Sequence, residues 1–234
     1  ERATPFGAAS RKRPVEPGFR LKAYRAAMRL LTPAAPLVLR HRRRQGKEDP
    51  ERGAERLGNP GRERPAGPLM WAHAASAGEP NAGLPVLDAL LARRPDLNVL
   101  LTTGTRTSAE IAARRLGDRA IHQYIPLDAP GFVARFLDHW QPDAAVFVES
   151  EIWPNLILDA DRRGIPLVLV NARMSDRSFK RWRRNRASAA ALMGRFRLVL
   201  AQTDALARRY RELGAGHAVP AGNLKIDAPP PPVD

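Results

Sequence analysis

The chain has 234 residues, 44% of them hydrophobic and 27% charged, with 22 prolines, so it can bury the core of one main globular domain while leaving much of itself in loops and on the surface. It has no cysteine, which excludes a disulfide framework and thiolate chemistry. The net charge of +15 is uneven: residues 1–68 hold 17 Lys/Arg against 7 Asp/Glu, and the remainder carries only +5, so the basic excess belongs to the N-terminal arm.

Residues 1–23 show no hydrophobic periodicity and are expected to form a disordered extension. Residues 24–64 read as a basic, membrane-associated segment. Its start, "YRAAMRLLTPAAPLVL", is uncharged only over Leu30–Leu39, well short of the roughly 20 apolar residues that cross a bilayer. The following "RHRRRQGKED" offers no small-residue cleavage site, which argues against a signal peptide. A short amphipathic segment in the membrane interface fits better. Arg25 and Arg29 precede the apolar part, and Arg40, Arg42, Arg43 and Arg44 follow it. Each basic residue near an anionic surface contributes on the order of 1 kcal/mol. The competing reading is a solvated basic tail packed on nothing. Pro33 and Pro36 oppose one long helix here.

From Leu69, short apolar runs alternate with helical patterns. The predicted strands are 69–74, 98–103, 121–124, 144–148, 166–170 and 197–202; the predicted helices are about 82–93, 107–116, 130–140, 154–163, 178–193 and 203–213. The strand runs lack internal polar alternation, as strands covered on both faces do. The expected fold over 69–227 is therefore α/β, a Rossmann-like doubly wound parallel sheet. Four consecutive prolines mark 228–234 as an extended, Pro-rich linker.

In such sheets ligands sit outside the carboxyl ends of the strands. After the first strand comes "ASAGEP" (75–80), with Glu79 at a tip where a carboxylate is either a helix cap or a reagent; Ser76 and Gly78 flank it. "TTGTRTS" follows the second strand. Gly104 permits close backbone approach beside Thr103, and Thr105, Thr107 and Ser108 can cap the next helix. "VESEIWPN" places Glu149 and Glu151 at a buried strand end, either sharing a site or capping the helix that starts near Pro154. "NARMSDRSFKRWRRNR" presents Asn171, Arg173, Ser175 and Ser178, then five cations interleaved with Phe179 and Trp182. That pattern suits phosphate groups on a lipid or sugar, nucleic acid, or a solvated helix face. His73 in "WAHAAS" is either core packing or a loop-orienting hydrogen bond. The five histidines are scattered and no H-E-x-x-H occurs, so neither a metal nor another cofactor is expected.

In order, "WAHAASAGE", "TTGT", "IPLD", "ESEIWPNL", "NARMSDRS", "AQTDALARRYRELG" and "GNLKID" resemble the N-terminal half of the bacterial 3-deoxy-D-manno-octulosonic acid (Kdo) transferases of lipopolysaccharide synthesis, over about residues 24–227. Two mild departures are Ala77, where the family more often has Val, and Ser150-Glu151-Ile152, where it has Thr-Glu-Leu. The resemblance implies the acceptor domain of a GT-B glycosyltransferase. Its reaction would be inverting, metal-independent transfer of Kdo from CMP-Kdo to a lipid A precursor (lipid IVA) at the cytoplasmic face of the bacterial inner membrane, with the protein peripheral or monotopic. Glu79 is the implied general base. The acceptor-binding candidates are Ser76, Gly78, Thr103, Gly104, Thr105, Glu149, Glu151, Asn171, Arg173, Ser175 and Ser178. The partners would be CMP-Kdo through a second, donor-binding domain beyond residue 228, the lipid A precursor, and anionic lipid of the inner membrane, with no nucleic acid. This chain alone is expected to be inactive. The alternative is a non-catalytic basic α/β module that binds nucleic acid or anionic membrane.

Overall fold

The structure, a computed structural model, describes residues 15–74, 90–116, 120–149 and 152–224, with the side chains of 115 and 116 excepted. The seven strands among the described residues are β1 (Leu69–His73), β2 (Asn98–Thr103), β3 (Ile121–Tyr124), β4 (Ala144–Val148), β5 (Leu167–Ala172), β6 (Phe196–Ala201) and β7 (Ala218–Pro220). They form one sheet in the order β3-β2-β1-β4-β5-β6-β7, and every pairing is parallel. The order reverses between β1 and β4, which places the topological switch point, and the crevice such folds use for ligands, at the carboxyl ends of those strands.

Alternation along β1 shows why the sheet is doubly covered. Leu69 and Trp71 enter one apolar layer, Met70 and Ala72 the other. The first layer lies under the helices α4 (Pro130–Trp140), α5 (Pro154–Arg162) and α8 (Asp204–Glu212). There Trp71 meets Phe136 and Phe147 edge to face at 5.1 and 5.2 Å, and its indole N–H donates to Thr102 Oγ1 at 2.8 Å. The second layer includes Val99, Leu101, Val168 and Val170, covered by Ala112 of helix α3 (Arg106–Leu116) and by helical residues Leu90 and Leu91. The expected Rossmann-like fold is the observed one.

Three details differ from the sequence reading. A seventh strand, β7, extends the edge beside β6; three residues are too short for a periodicity signal. The helix expected over 178–193 is two helices, α6 (Asp176–Arg183) and α7 (Arg186–Met193). Asn185 leaves helical geometry between them (φ −121°), and its amide oxygen accepts from Arg20 of the arm. Finally, helix α1 (Phe19–Leu31) begins ahead of the boundary at residue 24, within the stretch expected to be disordered.

The arm is not a tail packed on nothing. After α1 come a 3-10 turn (Thr32–Ala34) and helix α2 (Ala35–Arg44), with Pro33 and Pro36 at first-turn positions where their missing N–H costs little. Leu21 belongs to the main core, and Ala35 packs with Ala129 and Phe132. Beyond α2 a further 3-10 turn (Gly53–Leu57) caps the sheet edge. Glu55 accepts from the backbone N–H of Tyr124 on β3 at 2.7 Å and from Arg52 at 2.8 Å, and Arg56 donates to the Ile125 carbonyl at 2.6 Å. Edge-strand groups that would otherwise template aggregation are thereby satisfied. Gly58 closes this turn at φ 82°, and a Cβ there would lie 2.1 Å from the Phe132 carbonyl oxygen, so only glycine lets the arm approach α4 this closely.

Candidate functional site

Two residues at adjacent strand ends hold left-handed backbone: Glu149 after β4 at φ 63° and Asn171 in β5 at φ 52°. They are next in register, since Val148 pairs with Val170 and the Glu149 N–H donates to the Val170 carbonyl at 2.9 Å. A non-glycine residue in this conformation costs about 1–3 kcal/mol and persists where surrounding structure imposes it, as at ligand sites. Both side chains are buried. Asn171 Oδ1 accepts from Gln202 Nε2 at 3.1 Å and from the Leu224 N–H at 3.2 Å, tying β6 and the segment after β7 to this edge. Its amide nitrogen has no hydrogen-bond partner among the described residues.

Arg173 turns back over Glu149, with Nε 2.8 Å from Oε2. The arginine is 57% exposed and the carboxylate 2%, so a buried acid holds a cation at the surface. Two groups of α8 fix the loop that carries Arg173. The Tyr210 hydroxyl donates to the Arg173 carbonyl at 3.0 Å, and Arg209 donates to the Met174 carbonyl at 3.2 Å. Burial pushes the Tyr210 phenol pKa upward, so this donor is a neutral hydroxyl. Ser175 caps α6 by accepting from the Ser178 N–H at 3.2 Å. Together these elements surround a cleft of about 540 Å³ lined by Arg173, Ser175, Ser178, Arg181, Trp182 and Tyr210, with Ile152, Met174 and Leu206 at its apolar side. Two guanidinium groups and the hydroxyls of Ser175 and Ser178 make it suited to an oxygen-rich, anionic ligand.

The structure thus gathers Glu149, Asn171, Arg173, Ser175 and Ser178 at one edge of the sheet. The "TTGT" candidates lie at the end of β2 and just after it, and Thr103 and Thr105 have local partners. Thr103 is fully buried and its hydroxyl bonds His122 Nε2 at 2.9 Å, so its side chain serves the β2–β3 contact. Thr105 does what a capping residue should, accepting from the Ser108 N–H at 3.2 Å at the start of α3, and Gly104 is half-buried between them. Ser76, Gly78, Glu79 and Glu151 lie outside the described residues. His73 is core: it is fully buried, its ring meets Phe147 at 5.7 Å, and Nδ1 lies 3.0 Å from Thr102 Oγ1.

Sequence reasoning missed the role of two motif residues. Asp128 of "IPLD" accepts from the Asn155 and Leu156 N–H groups at 3.1 and 3.0 Å, capping α5 from a distance, and Tyr24 of α1 donates to it at 2.8 Å. Asn155 of "WPN" returns a bond to the Asp128 carbonyl at 2.6 Å. These residues latch the arm to the domain, a pairing across 104 positions that no local pattern announces. The aromatic residues of "SFKRWRR" are not bare platforms either. Phe179 and Trp182 are partly buried and pack against the core, and Arg183 and Arg209 stand over the Phe179 ring at 5.7 and 5.1 Å. Among the described residues no group of three or more His, Asp or Glu is arranged to hold a metal ion.

Residues 51–228 match the domain family described as 3-deoxy-D-manno-octulosonic-acid transferase (kdotransferase). The chain belongs to this family. A probable mitochondrial Kdo transferase of Arabidopsis thaliana is 44% identical over 164 residues, 70% of this chain and 37% of that protein. The Kdo transferase of Bordetella pertussis is 37% identical over 215 residues, covering 87% of this chain and 49% of its own. The chain therefore spans less than half the length of these curated Kdo transferases. Among solved structures, UDP-GlcNAc 2-epimerase from Neisseria meningitidis bound to UDP-GlcNAc shares the fold, with a TM-score of 0.50 at 14% identity over 68% of this chain and 48% of that one.

Proposed function

We propose that this chain is the acceptor-side half of a GT-B Kdo transferase, moving Kdo from CMP-Kdo to a lipid A precursor with inversion and without a metal, in lipopolysaccharide synthesis. The observation that carries the reading is the family match over residues 51–228. The donor and anionic lipid acceptor would meet at the carboxyl edge of the sheet, where the cleft around Arg173 supplies cationic and hydroxyl groups suited to phosphate or carboxylate. Glu149 acts there by holding Arg173 in place. Glu79 is the proposed general base: an acceptor hydroxyl is a poor nucleophile at neutral pH, and its proton must leave as the glycosidic bond forms.

The arm supports a location at the membrane surface, which we place at the cytoplasmic face of the inner membrane. No described helix is long and apolar enough to cross a membrane. Instead Phe19, Leu30 and Leu31 are exposed on α1 and Leu37 and Val38 on α2, alongside the arginines of both helices. A shallow apolar face ringed by cations matches interfacial binding.

Turnover in the two-domain enzyme tests the assignment. Glu79→Gln keeps shape but accepts no proton, and turnover falls by about 10²-fold or more with folding and acceptor binding retained. Residues 1–234 tested by themselves show no transfer from CMP-Kdo, since an open half-cleft excludes no water. An active Glu79→Gln beside an inactive Glu149→Gln or Glu151→Gln would move the base to the "VESEIWPN" turn.

A further inference from the structure

A second cleft, of about 550 Å³ and sharing no lining residue with the first, lies between α1 and the helices α4 and α5. Arg25, Arg29, Arg162, Asp159, Thr32 and Gly131 line it. Asp159 is buried in α5 with its side chain 2% exposed, and its Oδ1 receives both Arg25 Nη1 at 2.9 Å and Arg162 Nη2 at 2.8 Å. One buried carboxylate thus fixes two guanidinium groups at the cleft wall. Arg29 stands one helical turn after Arg25 on the same face of α1 and forms no ion pair with any described residue. Like charges at this spacing repel, and a bound anion reverses the sign.

Three guanidinium groups against one carboxylate leave two positive charges converging on a space within the range of ligand pockets. Guanidinium forks match phosphate oxygens in pairs. Leu30 and Leu31, 80% and 60% exposed, follow Arg29 directly in the chain, so the same helix end carries both cation and apolar surface. We propose that this cleft binds the phosphoryl headgroup of an anionic phospholipid, with Arg29 and Arg162 as its ligands and Asp159 as the residue that positions Arg25 and Arg162. The inference rests on the membrane-surface reading above and adds a discrete headgroup site to it.

The test is vesicle flotation of the 234-residue chain. Vesicles of phosphatidylcholine are doped with either phosphatidic acid or phosphatidylglycerol, adjusted to the same surface potential. The chain binds the phosphate monoester more tightly, by about fivefold or more, as one well-placed arginine contact of about 1 kcal/mol gives. Arg29→Gln with Arg162→Gln abolishes that preference. Arg40→Gln with Arg44→Gln removes the same charge from α2, weakens both vesicles alike and keeps the preference. Arg29→Gln alone, altering only an exposed side chain, halves or better the preference and serves if the double variant is unstable. A preference that survives loss of Arg29 and Arg162, or wild-type binding without preference, overturns the site and leaves the membrane reading standing. No binding to either vesicle overturns both. If inorganic phosphate, compared with chloride at equal ionic strength, releases the chain equally from both vesicles, the cleft's ligand is free phosphate and the lipid assignment is wrong.

Discussion

Asp128→Ala should loosen the whole N-terminal arm. Asp128 is 3% exposed, caps α5 through the Asn155 and Leu156 N–H groups, and receives the Tyr24 hydroxyl. Losing a helix cap costs about 1 kcal/mol, and losing a hydrogen bond to an acidic group costs about 1.5–3 kcal/mol with its donor Tyr24 left half-buried, giving about 3 kcal/mol in all. For a protein of this size that corresponds to a fall in Tm of about 6–12 °C. Asp128→Asn retains an acceptor and loses less. Its comparison with wild type also depends on pH. Burial, first among the causes, raises the Asp128 pKa from the ordinary 3.8, outweighing the bonds from Asn155, Tyr24 and Leu156 that lower it. The native carboxyl therefore keeps its proton to higher pH than the unfolded one. The stability this contributes is full below about pH 3.8 and is lost as pH rises through the folded value, so wild type loses ground to Asp128→Asn across that interval. Thermal unfolding followed by circular dichroism at several pH values reads both effects, and a cycle with Tyr24→Phe isolates the latch. Asp128→Ala within about 0.5 kcal/mol of wild type, together with additive effects of the two substitutions, would refute the reasoning.

Arg173→Ala leaves the buried Glu149 carboxylate without its guanidinium; because Arg173 is more than half exposed, the expected loss in urea unfolding is about 1–2 kcal/mol rather than the larger cost of a fully buried pair, and Arg173→Lys recovers part of it. His122, half-buried against Thr103 and Tyr124, has its pKa lowered from 6.5 to about 3, chiefly by burial and then by Arg52. The unfolded chain takes up this proton first, so wild-type stability is full above about pH 6.5 and declines as pH falls toward 3; His122→Gln flattens that part of the acid-unfolding profile.

Much of the fold was legible because it rests on local pattern. Apolar runs without polar alternation marked β1 through β6, and Pro154 marked the start of α5 where it in fact stands. Thr105 was readable as a cap, since a cap acts within three residues of itself. The order of motifs was enough to suggest the family to which the chain belongs. What the sequence could not supply was any pairing between distant residues. Whether Glu149 faces a ligand or an arginine depends on a left-handed turn and on the neighbouring strand that presents Arg173. Thr103 looked like a loop ligand, and the sheet register turned its hydroxyl toward His122. The arm's arginines read as one basic cluster flanking a short apolar stretch, because sequence places charges without their partners. Packing divided them. Arg52 and Arg56 are spent on the edge of β3, Arg25 on Asp159, and Arg29 stands beside exposed leucines. Charge and hydropathy are properties of the chain, but the partner each cation meets is decided by which helices the core draws together.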